Sequence, residues 1–250
     1  MTRGGYHLDE HGDPIGHPVA GPDPTFPTDE PMVGRHCRLE RVDPEAHGEG
    51  LYRAMQGADS ARIWTYMPFG PFPDIDQLRV TLARLAGWVD WFGFTIFDST
   101  GEPKGWTAYL RADLPARSIE VGGIVFSPAL QRTTAATEAM YLMAKRCFES
   151  GFRRYEWKCD ALNAPSRRAA QRLGFTFEGV FRQATIYKGR NRDTAWYSMI
   201  DTEWPDVKAG FERWLDPSNF DGLGRQRISL EEARAVAAGG GQRRLSEDRG

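Results

Sequence analysis

Cysteine is scarce in this chain. Only Cys37, Cys147 and Cys159 occur, widely spaced and odd in number, which excludes a disulfide framework and fits a reducing compartment. Histidine is scarce as well: all five lie in the first fifth of the sequence, with no Cys or His pair at a zinc-ligand spacing. His7, His11 and His17 sit in a polar stretch that reads as a tail, so no metal is expected. Long hydrophobic runs are missing. Stretches such as Val121 to Phe126 fall far short of the roughly 20 residues that span a bilayer, and the opening MTRGGYHLDE carries no apolar signal core. The expectation is a soluble, cytoplasmic protein without a membrane partner. A surplus of positive charge is missing too, since 32 Lys and Arg stand against 34 Asp and Glu. The net charge of −2 supplies no global field for nucleic acid, and none is expected as a partner. No G-x-x-x-x-G-K-[ST] loop exists, which removes a Walker-type nucleotide site.

What is present is the composition of a soluble globular domain, 40% hydrophobic and 26% charged over 250 residues. Residues 1–33 carry six prolines among Gly, Asp and His without apolar periodicity and read as an irregular arm. Residues 216–250 read as a polar tail, partly helical or disordered, with one helix candidate from Ser229 to Ala238 closed by Gly239, Gly240 and Gly241. Between them, residues 34–215 have the size of a single domain.

Within that body, alternation predicts a strand at His36 to Val42, and Asp43-Pro44 then supplies an N-cap and a first-turn proline for a helix. A second helix is expected from Ile75 to Val89, with Leu78, Val80, Leu82, Leu85 and Val89 as its apolar stripe. The loop between them holds Trp64, Tyr66 and Phe69 amid Pro and Gly, a composition that suits a pocket wall and equally a loop packed onto the core. Strands at Phe92 to Phe97, Gly105 to Arg111 and Ser118 to Phe126, joined by turn-rich links, predict an antiparallel meander. A helix from Gln131 to Phe148, a strand from Tyr155 to Asp160, a short helix from Ala164 to Leu173 and strands near Phe175 to Phe181 and Thr194 to Asp201 complete the order. A strand, long helix and strand in succession force one parallel pairing, so the fold class is α/β with a mixed, mostly antiparallel sheet.

Two segments carry chemistry. In the first, the strand Ser118 to Phe126 runs through a polar turn into a helix opening with Thr133, Thr134, Ala135 and Ala136. Exposed amides at such a helix start, reinforced by its dipole, suit phosphate or pyrophosphate, although an ordinary junction capped by Thr133 or Thr134 has the same sequence. In the second, a strand ends at Asn163, Pro165 and Ser166 begin a helix, and Gly174 stops it before Phe175. Together these segments resemble the GNAT superfamily of acyl-CoA-dependent N-acyltransferases, and within it the RimJ/RimL type. The pyrophosphate signature of that family is matched by Gln131, Arg132, Thr133, Thr134, Ala135 and Ala136. Its later Asn-x-x-Ser, Leu-Gly-Phe signature is matched by Asn163, Ser166, Leu173, Gly174 and Phe175. Thr134 departs from the pattern, standing where the first glycine usually lies.

The resemblance covers about residues 35–204 and implies a GNAT-like sheet with a splayed strand pair flanked by helices. It also implies a pantetheine arm inserted beside Ile124, Val125 and Phe126. Acetyl-CoA or another acyl-CoA would be the co-substrate, gripped by Gln131 to Thr137 together with Asn163 and Ser166. Glu120, in the Glu-Val-Gly that precedes the splay, is the expected base for the amine, its alternative being a paired strand carboxylate. Ser166 is the expected acid for the leaving thiolate, with Tyr187 in reserve. Trp64, Tyr66 and Phe69 are the expected acceptor wall. The implied activity is direct acyl transfer to a primary amine, of a small molecule or a protein, in a ternary complex, with a homodimer left open. The rival is an acyl-CoA-binding regulatory module of the same fold without transfer activity.

Overall fold

The computed structural model describes residues 6–57 and 60–247, with side chains up to residue 239. In the N-terminal arm β1 (His7–Leu8) and β2 (Pro14–Ile15) form a small antiparallel ladder. The body follows as β3 (Met32–Val33), β4 (Cys37–Arg41), α1 (Pro44–Ala54), a 3-10 turn (Ser60–Trp64), α2 (Ile75–Ala86), β5 (Trp91–Asp98), β6 (Pro103–Asp113) and β7 (Ser118–Phe126). Then come α3 (Thr134–Glu149), β8 (Arg154–Asp160), α4 (Ala164–Arg172), β9 (Thr176–Tyr187), β10 (Arg190–Ile200), α5 (Trp204–Leu215) and α6 (Leu230–Glu247). Eight strands make one sheet in the order β3-β4-β5-β6-β7-β8-β10-β9, antiparallel throughout except for the parallel pair β7 and β8.

Local chemistry explains the helix starts. Asp43 accepts hydrogen bonds from the Glu45 and Ala46 amides, and Pro44 fills the first position of α1, where a missing N–H is harmless. Helix α3 begins at Thr134 rather than Gln131, because Thr133 is its N-cap and Gln131 and Arg132 remain in the turn. Helix α2 ends at Ala86, so Val89 lies outside it at 91% exposure. Val80 also faces solvent, at 68%, leaving Leu78, Leu82 and Leu85 as the buried stripe.

The sheet buries both faces. Ile119, Val121, Trp157 and Cys159 pack with residues of α3, α5 and α6, while Trp106, Ala108 and Val125 pack with Leu51 of α1 and with the α2 stripe. Apolar burial on two sides of a central sheet is the main stabilising term of such a layered fold. Among the described residues, no helix is long and apolar enough to cross a membrane.

Three features lie outside the sequence expectations. The arm is tied to the body: β3 pairs with β4, Arg117 donates to the carbonyls of Ala20 and Gly21, and Arg146 donates to those of Thr28, Glu30 and Pro31. Helix α5 was not anticipated, although Trp204, Val207, Phe211 and Trp214 form its buried stripe. Helix α6 continues past Gly239 to Glu247 and packs on α5, burying Leu230 and Ala233 in the common core. A boundary at residue 216 therefore cuts through a packed pair.

One buried charge fastens the start of the body. Glu138 of α3, 5% exposed, accepts from the backbone amides of Arg35, His36 and Cys37 at 2.9, 2.6 and 3.0 Å. Burial and this carboxylate together push the Cys37 thiol upward in pKa. Replacing Glu138 with alanine orphans three amides and opens a cavity. We expect a stability loss of about 2–4 kcal/mol, read as a lower urea midpoint at unchanged m-value.

Candidate active site

The site begins where the sheet comes apart. The parallel pairing of β7 with β8 runs only from Ser118 opposite Arg154 to Val121 opposite Trp157. Beyond it the two strands diverge, as the family resemblance implied. The cause is local: β7 pairs Gly122 with Ala108 and then Val125 with Trp106, so one extra residue bulges between them. Gly123 sits in the bulge at φ +58°, a left-handed conformation that favours glycine. The bulge bends β7 away from β8 and opens a cleft of about 2480 Å³.

One wall of the cleft is the start of α3. Thr133 Oγ1 accepts from the Ala136 amide at 3.1 Å, which leaves the Thr134 and Ala135 amides ahead of it without intrahelical acceptors. Arg132, at φ +63°, turns the chain into the helix. Arg132, Thr133, Thr134, Ala136 and Thr137 line the cleft, as do Ile124, Phe126 and Gln131. Two expected residues do not line it. The Val125 side chain is buried in the α1/α2 core, because the bulge reverses which side chains face that core, and Ala135 packs against the opposite core. The Gln131 carboxamide is engaged as well, donating to the Phe126 carbonyl at 3.0 Å. Arg168 and Arg172 of α4 complete the wall, and Arg172 donates to Thr137 Oγ1 at 3.1 Å. Their i, i+4 spacing on the helix of the second motif was the available signal for this basic pair.

The other edge of the opening holds Ser166. Asn163 Oδ1 accepts from the Ser166 amide at 3.1 Å, so the cap uses the backbone of Ser166 and leaves its hydroxyl unspent. That hydroxyl oxygen accepts from the Trp157 indole N–H at 3.1 Å. Trp157 is itself fixed edge-to-face against Phe175, with ring centroids 5.6 Å apart. Its own proton has the buried Cys159 sulfur within hydrogen-bond reach.

Alternation along β7 and β8 puts Glu120 and Lys158 on the face opposite Val121, Trp157 and Cys159, toward α1 and α2. Glu120 is 3% exposed and is bound by Arg111 and by Lys158, whose ammonium lies 3.1 Å away. Lys158 also reaches Glu156 at 2.8 Å, and Arg154 joins Glu156 to Glu178 at 2.8 and 2.6 Å. The result is a chain of alternating charges across the sheet. Both cations meet Glu120 at Oε2, and Glu120 also lines the cleft.

Tyr66 and Phe69 line the cleft, whereas Trp64 does not. At 3% exposure Trp64 belongs to the α1/α2 core, edge-on to Phe72. The loop carrying these residues is tied across the opening. Lys188, at the tip between β9 and β10, donates to the carbonyls of Trp64 and Gly70 at 2.8 and 2.9 Å, and the Tyr66 hydroxyl donates to the Leu162 carbonyl at 3.1 Å. Beneath this bridge the Tyr187 hydroxyl donates to Asp160 Oδ2 at 2.8 Å. Counting the whole lining, eight Arg or Lys residues face two Glu.

A model of an acetyltransferase (GNAT) domain matches residues 37–176. Among solved structures, the chain is similar to a GCN5-related N-acetyltransferase from Brucella melitensis, at 39% identity over 85% of this chain and 97% of that one, with a TM-score of 0.83. It is similar to a probable acetyltransferase of the GNAT family from Chromobacterium violaceum, at 39% identity over 77% of this chain and 97% of that one, with a TM-score of 0.72. An acetyltransferase from Salmonella typhimurium that modifies the N-terminal serine of ribosomal protein L7/L12 shares the fold, at 19% identity over 68% of this chain and 99% of that one, with a TM-score of 0.59. No curated protein sequence matches the chain.

Proposed function

The chain belongs to the GNAT acetyltransferase family, and from that premise we propose that it moves a short acyl group, acetyl foremost, from acyl-CoA to a primary amine by direct attack in a ternary complex. The observation that carries this reading is the divergence of β7 from β8 beside the free amides of α3. Unpaired strand edges offer hydrogen bonds to the amides of a pantetheine arm, and a helix start offers them to a pyrophosphate. Arg132, Arg168 and Arg172 add positive charge for the donor phosphates. Thr134 contributes an amide and a hydroxyl where glycine is the usual residue.

The chemistry follows from the layout. The amine nitrogen attacks the thioester carbonyl carbon, the C–N bond forms, and collapse of the tetrahedral intermediate breaks the C–S bond. Nitrogen sheds two protons overall: one passes to solvent and the other ends on the CoA sulfur. Ser166 supplies the sulfur with a proton and recovers one from the acylated nitrogen. The enzyme contributes chiefly by holding donor and acceptor together, since a serine hydroxyl is a weak acid.

The excess of cationic groups in the cleft favours acceptors of low positive charge. The test is release of free thiol from acetyl-CoA with a panel of amines: alanyl and seryl peptides, free lysine, spermidine and an aminoglycoside. We expect amine-dependent release, with a neutral or acidic peptide turned over at least tenfold faster in kcat/KM than spermidine. Calorimetric binding of CoA without thiol release for any amine would favour the regulatory module instead.

A further inference from the structure

Arg111 and Lys158 hold Glu120 at Oε2, and a second buried carboxylate lies two residues beyond Lys158 on β8. Asp160 is the next side chain after Lys158 on the α1/α2 face of β8, beyond the point where β8 leaves β7. It is 5% exposed, and its two oxygens have separate duties. Oδ1 accepts from the Leu162 amide at 2.8 Å, and Oδ2 accepts from the Tyr187 hydroxyl at 2.8 Å. Tyr187 is half-buried and lines the cleft, so its oxygen retains a lone pair for a molecule lying there. Ser166 stands on the opposite side of the opening, hydrogen-bonded to Trp157.

We infer that Tyr187 and Asp160 form the proton-accepting pair of the reaction, Tyr187 as the catalytic residue that touches the amine and Asp160 acting through it. The Tyr187 oxygen accepts a proton from the acceptor ammonium while its own proton moves to Asp160 Oδ2. The neutral amine then attacks, and Asp160 later returns the proton through Tyr187 to solvent. Removal of the ammonium proton thus occurs on the face from which the amine enters, and protonation of sulfur on the face from which CoA leaves. This inference rests on the acyl-transfer reading above.

Tyr187 is faced by Asp160 from β8, by Arg192 from β10 with its guanidinium 5.9 Å from the ring centroid, and by Tyr66 from the loop. Asp160 also neighbours Cys159. Burial, followed by the hydrogen bond to Asp160, pushes the Tyr187 phenol up to about 12, so it stays protonated and able to donate across the working range.

The experiment is kcat/KM against pH from 6 to 10 with acetyl-CoA and the best acceptor of the panel, for wild type, Tyr187→Phe, Asp160→Asn and the double variant. Asparagine keeps an acceptor for the Leu162 amide, and thermal melts check folding. Tyr187→Phe is expected to lose about 10²-fold near pH 7 and less than tenfold near pH 10, where the amine is already neutral, with KM for acetyl-CoA unchanged. Asp160→Asn should behave alike, and the double variant should be no worse than Tyr187→Phe alone. A Tyr187→Phe profile within twofold of wild type at every pH overturns the pair, as do losses that multiply in the double variant. A wild-type protein that releases no thiol with any amine removes the transfer reading, and the pair with it, and is recognised before any variant is made.

Discussion

Ser166→Ala should lower kcat by about 10²-fold while leaving CoA affinity within about twofold. The expectation rests on how the residue is held. The cap at the start of α4 uses the Ser166 amide, which alanine retains, so the helix start survives the substitution. What disappears is the hydroxyl that accepts from Trp157 and that, on the proposed mechanism, protonates the leaving thiolate. The indole N–H is then left without an acceptor, at a stability loss of about 1–3 kcal/mol. Steady-state kinetics separates the two effects from binding measured by calorimetry. A variant that keeps its kcat within twofold would reduce Ser166 to a capping residue and transfer the acid role elsewhere.

Glu120→Ala is expected to lower stability. Lys158, with a side chain 9% exposed, and Arg111, 54% exposed, share the Glu120 carboxylate, and without it Lys158 keeps only Glu156 while Arg111 turns to solvent. We expect a loss of about 1–3 kcal/mol and a melting temperature lower by roughly 5 °C. Glu120→Gln keeps the volume and tests chemistry separately. Its activity should fall without recovery at high pH, because the defect lies in the placement of Lys158 and Arg111 and not in taking a proton. If Glu120→Gln is as stable as wild type and regains its activity at pH 10, Glu120 is the base after all.

Much of the scaffold was legible because its signals are local. Asp43-Pro44 and Asn163-Ala164-Pro165 each place a cap beside a proline, and the switch from alternation to helical period after Pro128 marks the passage from β7 to α3. The α3 wall of the cleft was legible for the same reason, as a strand, a turn and a helix start adjacent in sequence. Helix α5 had a readable stripe in Trp204, Val207, Phe211 and Trp214, hidden behind Pro205 and the preceding turn. The partners of Glu120 were not legible, since Arg111 and Lys158 come from two different neighbouring strands and only the sheet order brings them together. The same holds for Asp160 with Tyr187, 27 residues apart, and for the Lys188 tie to a loop 118 or more residues earlier. The burial of the Val125 side chain was not legible, because the bulge at Gly123 shifts the alternation by one residue and nothing in the apolar pattern announces that shift.

The parted strands carry a hazard of their own. A seam opened inside a sheet creates two unpaired edges in the middle of the molecule, and such edges are templates on which stray polypeptide can zip into an aggregate. Here the loop held by Lys188 and Tyr66 bridges the seam, joining the α1/α2 side to the end of β8 and to the β9–β10 tip. The same crosspiece that shapes this mouth of the cleft therefore guards the sheet against foreign strands. Loosening it to widen the cleft would trade room in the cleft against self-association.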